Sequence, residues 1–299
     1  MDDFLIIQPR IKMLSSGQIE VSFNGEETID NKTQLKKEVG EVVWANLDYE
    51  SLEKLLSLLA CQIQNIGLNV DYLYNSVNTQ EVLNKIKQAP ELRRLFSLRQ
   101  PIWEGYTTEV HALGVATTLV TLAPNQEKAW LWEVAGLLHD LGKVVAAFFE
   151  HDAKRGRRLQ DQYNYQVAQT VLEALGFALP AKFYMLTLID KSNLPYRYVS
   201  GGIGFREVKA ELAEVVDWLK ANAYQTTSRE LMEDLAAFWL ADAADYSVVQ
   251  CFLKGIPLKP SFCSQFVFTF SIVDGKWKLT TIRPQAAWNS KYKDLIKRL

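Results

Sequence analysis

The sequence predicts a mainly α-helical protein with small β segments contributed by its two ends. Two patterns carry that prediction. Through residues 48–256 apolar side chains recur at intervals of three and four, the period of a buried helix face. Before and after that stretch the period drops to two, with Gly or Ser between the alternating runs. The chain therefore divides into an N-terminal β-hairpin extension over 1–47, a helical core over 48–256, and a C-terminal β-hairpin with a short helix over 257–299.

Arg10-Ile11-Lys12-Met13-Leu14 and Gln18-Ile19-Glu20-Val21-Ser22-Phe23 alternate around Ser15-Ser16-Gly17, a hairpin signal. Leu52, Leu55, Leu56, Leu59 and Ile63 then fall at helical spacing, with Asp48 or Ser51 as the cap. Thr79 is expected to cap a second helix carrying Val82, Leu83 and Ile86, and 91–98 reads as a short third one. Thr107 or Thr108 opens the next, with His111, Val115, Leu119 and Leu122 along one stripe. Residues 126–140 are apolar nearly all round, the mark of a central, buried helix. Further helices are expected over 165–175, closed by Gly176, and over 181–190, 207–223 and 228–252. Residues 151–158 read as a basic segment and 195–204 as a loop. Trp130, Trp132, Trp218 and Trp239 are assigned mainly to the core. The alternation returns on both sides of Asp274-Gly275, a type I′ hairpin signature, and this hairpin is expected to pair with the N-terminal strands.

Composition narrows the class. Of 299 residues, 48% are hydrophobic and 11% aromatic, which supports a sizeable core. A net charge of -2 and a pI near 6.0 argue against a nucleic-acid footprint. Cys61, Cys251 and Cys263 share no metal-like spacing and fit a reducing compartment. No apolar run reaches the ~20 residues of a membrane span. A cytoplasmic protein is expected, with no membrane partner.

The chemistry concentrates in Ala135-Gly136-Leu137-Leu138-His139-Asp140-Leu141-Gly142-Lys143. Polar groups at the end of so apolar a helix are costly unless paired or metal-bound. His111, one helix upstream, and Asp242, about a hundred residues downstream, can complete a set of two imidazoles and two carboxylates. Such a set suits one divalent ion, with Mn, Fe, Ni, Co, Zn and Mg all open. Positions left on the ion would take water and a phosphate oxygen. Each residue also has a plainer reading. His139-Asp140 could be a helix-terminal cap, His111 a satisfied core histidine, and Lys143 a charge at a helix C-terminus. Asp245, three residues after Asp242, could take its place.

These residues resemble the H…HD…D signature of the HD-domain superfamily. The string around His139-Asp140 and the surroundings of His111 both fit, and the likeness covers roughly residues 90–255. It implies a helical metal-binding core and activity as a metal-dependent phosphohydrolase or phosphodiesterase on a nucleotide or related phosphoester. His111, His139, Asp140 and Asp242 would be the metal ligands. Asp140 and Lys143 would be catalytic, and Lys143, Arg155 and Arg157 would meet the substrate phosphate. The sequence departs from two-metal members: Asn164 stands where many carry His, and His151 is the only later histidine. That argues for one metal or a degraded site. Two other readings follow: a non-catalytic nucleotide-binding or protein-interaction module, with a protein partner on the terminal β segments, and a nucleic-acid-acting HD protein.

Overall fold

The site is built around two helices of short-range origin. Thr107 caps α5 (Thr108–Leu122), its side chain accepting from Val110 N. Asn125 caps α6 (Gln126–Leu138), accepting from Lys128 N. Three residues between them force an antiparallel hairpin, and Gly136 sets how close it closes. A Cβ at Gly136 would stand 2.8 Å from Leu119 Cδ1 and 3.0 Å from Ala116 Cα. The same hairpin brings His139 Nε2 to 3.1 Å from His111 Nε2.

In the computed structural model, residues 8–13, 19–24, 49–76, 78–98, 107–150, 153–245, 266–273, 276–284 and 286–299 are described. They are mainly helical, as the periodicity predicts. Ahead of the hairpin come α1 (Leu52–Asn65), α2 (Val70–Tyr74), α3 (Thr79–Ile86) and α4 (Pro90–Ser97). After it come α7 (Leu141–Glu150), α8 (Ala153–Ala174), α9 (Leu179–Lys191), α10 (Leu194–Val199), α11 (Phe205–Ala221) and α12 (Ser228–Asp245). The backbone strands β1 (Gln8–Met13), β2 (Ile19–Asn24), β3 (Phe266–Val273) and β4 (Lys276–Pro284) pair antiparallel in that order. Helix α13 (Ala286–Arg298) follows.

The core forms where the apolar stripes meet. Leu55, Leu59 and Ile63 of α1, Val115, Ala116 and Leu119 of α5, and Leu212 and Leu219 of α11 join one buried cluster with most of α6. Helix α12 lies against α5, and α7 runs along α8. The α7–α8 pair is in backbone contact at two glycines. A Cβ on Gly142 would overlap the backbone of Tyr163 and Asn164, and one on Gly156 would sit 3.2 Å from Ala146 O.

Several local expectations need correction. Asn78, not Thr79, caps α3, its Oδ1 accepting from Glu81 N at 3.0 Å. Helix α8 begins at Ala153, twelve residues before the expected start, so Arg155 and Gly156 are helical. Gly156, within the expected basic segment, serves the close approach to α7. Part of the expected 195–204 loop is the short helix α10, which Pro195 tolerates because it sits in the first turn. Trp218 is not core; it is 40% exposed, against 2% for Trp132 and 6% for Trp239. The expected end of α12 beyond Asp245 lies outside the described residues.

Candidate metal centre

Helix α6 stops at Leu138, and α7 starts at Leu141. The two residues of the break are His139 and Asp140. The C-terminus of one helix and the N-terminus of the next thus meet at the pair. His111 comes from the buried face of α5, which also carries Thr108, Ala112, Val115 and Ala116. Asp242 comes from the last turn of α12. One helical turn earlier on α12, Phe238 lies edge-on against the His139 ring, with centroids 5.7 Å apart. Sequence separation is large, but every partner sits on a core-facing helix position.

One ligand atom from each of His111, His139, Asp140 and Asp242 falls within 4.8 Å of all the others. His111 Nε2 stands 3.0 Å from Asp140 Oδ2, 3.2 Å from Asp242 Oδ1 and 3.1 Å from His139 Nε2. His139 Nε2 stands 3.4 Å from Asp140 Oδ2 and 3.5 Å from Asp242 Oδ1. With bonds of about 2.1 Å, adjacent ligands are about 3.0 Å apart in an octahedron and about 3.4 Å apart in a tetrahedron. The observed spacings of 3.0–3.5 Å match the edges of such a coordination polyhedron.

Proton positions strengthen this fit. His139 Nδ1 is 2.7 Å from the carbonyl oxygen of Gly136, which can only accept. A proton is thus assigned to Nδ1, and Nε2 is the ring atom turned toward the cluster. Two facing imidazole Nε2 atoms at 3.1 Å repel unless a proton or a cation lies between them. Asp242 Oδ1 is shielded from solvent and makes no hydrogen bond. A buried acceptor without a donor is costly, and a cation at the convergence point removes that cost. The donor set of imidazole nitrogens and carboxylate oxygens fits a divalent ion of the Mn, Fe, Co, Ni or Zn type.

Electrostatics follow the same sense. Burial pushes the Asp140 carboxyl up, but the charges of His139, Lys143 and His111 overrule it and hold it well below the usual range. Burial also pushes Asp242 up, and the adjacent His111 and His139 rings outweigh it, leaving the carboxyl at about 2. Both carboxylates stay ionised, as metal ligands must. Lys143 Nζ lies 2.5 Å from Asp140 Oδ2, with its side chain 13% exposed. The expected Lys143 contact with this site is therefore first a contact with Asp140.

Arg155 is mostly exposed and paired with Glu150. The side chains of Arg157 and Asp245, and all of His151, lie outside the described residues. Asn164 is buried, and its Oδ1 makes no hydrogen bond. Sequence reasoning passed over Asp161, one turn before Asn164 on α8. The residue is exposed, but partial desolvation of its carboxyl, then the nearby Asp190, raises it, while Lys143 lowers it and Asp140 raises it further. Its three-residue spacing from Asn164 was the available signal.

Residues 108–183 match the family model described as HD domain. The match, about a quarter of the chain, takes in His111, His139, Asp140 and Lys143, and Asp242 joins them from beyond it. No curated protein and no solved structure matches the chain. Among the described residues, no helix is long and apolar enough to cross a membrane.

Proposed function

We propose that the HD domain of this chain is a metal-dependent phosphohydrolase or phosphodiesterase acting on a nucleotide or a related phosphoester. The observation that carries the reading is the convergence of His111 Nε2, His139 Nε2, Asp140 Oδ2 and Asp242 Oδ1 on one point. A divalent ion, when bound there, supplies an acidified water and a Lewis-acid hold on a phosphate oxygen. The protein's part is to fix that geometry and handle charge. The Gly136 carbonyl orients His139, and the edge of Phe238 packs against its ring. Lys143 brings an ammonium to the rim, where it can neutralise phosphate charge. Asp161, whose carboxyl is raised above its ordinary value and lies within electrostatic reach of Asp140 and Lys143, is the carboxyl assigned in this reading to accept or return a proton. Arg155 can reach a substrate only by leaving Glu150, and Arg157 follows it two residues on in α8.

A non-catalytic nucleotide-binding module is the second reading. It is favoured by the poverty of histidines, three in the whole chain, and by Asn164 at a buried position beside Gly142. In that reading the terminal strands would meet a protein partner. A nucleic-acid-acting protein fits less well with a net charge of -2.

Turnover of nucleoside mono-, di- and triphosphates and of a dinucleotide, with Mn, Mg, Ni and Co, separates these readings. Wild type should turn over a subset, and His139→Ala should be inactive. Asp161→Asn should lose about 10²–10⁴-fold in kcat with metal content intact. Metal-loaded wild type no faster than His139→Ala would leave the binding module standing.

A further inference from the structure

Helices α12 and α13 wall an open concavity of about 380 Å³, lined by Arg229, Glu233, Tyr292, Lys293, Ile296 and Lys297. It is not part of the metal centre. Glu233 precedes Asp242 by nine residues, which on an α-helix is half a turn around and roughly 14 Å along. The concavity therefore opens on the side of α12 turned away from the ligands.

The charges there are unequal. Of the α13 cations, Lys291 Nζ donates to Val199 O at 2.9 Å, and Arg298 pairs with Asp294 while lying 3.7 Å over the Phe205 ring. Lys293 and Lys297 are different. Among the described residues neither meets a carboxylate, and they stand one turn apart on the wall of the concavity. Like charges at that spacing repel. Arg229 faces them from α12 and holds Glu233 at 3.1 Å. Three cations thus share one carboxylate. Tyr292 and Ile296, partly buried against the core, line the concavity between these charges. Burial first, then Glu233 and Asp234, pushes the Tyr292 phenol up, so it stays neutral and able to donate.

We propose that this concavity binds a small molecule bearing an oligophosphate, of the nucleoside di- or triphosphate class. The phosphates would lie among Lys293, Lys297 and Arg229, with the organic part on Tyr292 and Ile296. Its size falls within the range of about 300–1,000 Å³ usual for small-ligand sites. The Glu233 carboxylate in its wall disfavours a continuous phosphodiester strand. This site stands independently of the metal reading.

Titration calorimetry on the full chain in EDTA tests it, with inorganic pyrophosphate and ADP as probes. Wild type and His139→Ala should bind ADP alike, which separates this site from the metal centre. Lys293→Ala/Lys297→Ala should weaken binding at least tenfold with an unchanged circular dichroism spectrum, and Lys293→Arg/Lys297→Arg should retain it. ADP should bind more tightly than pyrophosphate. Absence of binding to wild type, or unchanged binding by the alanine pair, would overturn the proposal. Equal affinity for the two probes would overturn the nucleotide class, and tighter binding of a single-stranded oligonucleotide would assign the surface to nucleic acid.

Discussion

Helices α6 and α12 feed buried polar residues into the core at two places, and the two places are opposites. At one, Lys128 Nζ lies 2.6 Å from each oxygen of Asp234, Tyr184 donates to Asp234 Oδ2 at 2.8 Å, and Trp132 Nε1 donates to Tyr184 at 2.8 Å. One cation meets one carboxylate, and each donor has its acceptor. At the other, two carboxylates and two imidazole Nε2 atoms point at one spot, and Asp242 Oδ1 has no donor. The first cluster is completed by the protein, while the second is a set of donors that could hold a cation. Their carboxyls differ accordingly. Burial raises Asp234 despite Lys128, whereas Asp140 and Asp242 are held low by the positive groups around them. Burial of polar groups alone therefore does not mark a ligand site; an unbalanced set of acceptors does.

The contrast breaks most readily at the open cluster. His139→Ala should weaken metal binding by about 100-fold or more while changing the stability of the metal-free protein little, since the loss relieves a repulsive contact. Equilibrium dialysis and urea denaturation of the same samples measure both. Asp234→Ala should do the reverse. It strands the Lys128 charge and the Tyr184 hydroxyl, and the cost should be about 3 kcal/mol in urea with metal stoichiometry unchanged.

Gly142→Ala bears on the support beneath the open cluster. The new methyl would stand 2.5 Å from Asn164 Cα, against backbone that cannot rotate away. A loss of about 1–3 kcal/mol is expected, with weaker metal binding because Asp140 and Lys143 shift with α7. Gly67→Ala, where no atom lies within 4 Å but φ is +63°, is the control for strain without crowding.

The smallest effect is a difference in sign with pH. The folded pKa of Asp242 is depressed, so in metal-free protein its contribution is present above about pH 4 and lost as pH falls toward 2. The span is at most about 2.5 kcal/mol. Asp234 is raised, so its contribution is present below the ordinary carboxylate range and fades as pH rises through its folded value. Asp242→Asn should flatten the acid limb of the stability profile, and Asp234→Asn the limb above it. Identical profiles for the two variants would erase the distinction.

How much of this could be read from the sequence depended on locality. The stripe through His111 and the apolar run ending in His139-Asp140 are short-range patterns, and both elements stand where the periodicity places them. Asp242 lies far along the chain and entered through the motif, not through spacing. The closed cluster was invisible, because Lys128 and Asp234 are 106 residues apart and Tyr184 is 50 from Asp234. Neither residue type nor spacing announces such a partnership. Helix α8 was expected only from Tyr165, because residues 151–158 read as a basic, Gly-containing segment. What keeps the helix going is contact with Ala146 of α7, a tertiary effect that overrides propensity. Asn164 gave no sign of burial for the same reason.

The most direct test is metal analysis by mass spectrometry of wild type, Asp242→Asn and Asp234→Asn, each dialysed against Mn, Co, Ni and Zn in turn. One ion per chain in wild type and Asp234→Asn, lost in Asp242→Asn, is the predicted result. No retained ion in wild type under any condition, or equal retention in Asp242→Asn, would contradict the assignment of the open cluster as a metal centre.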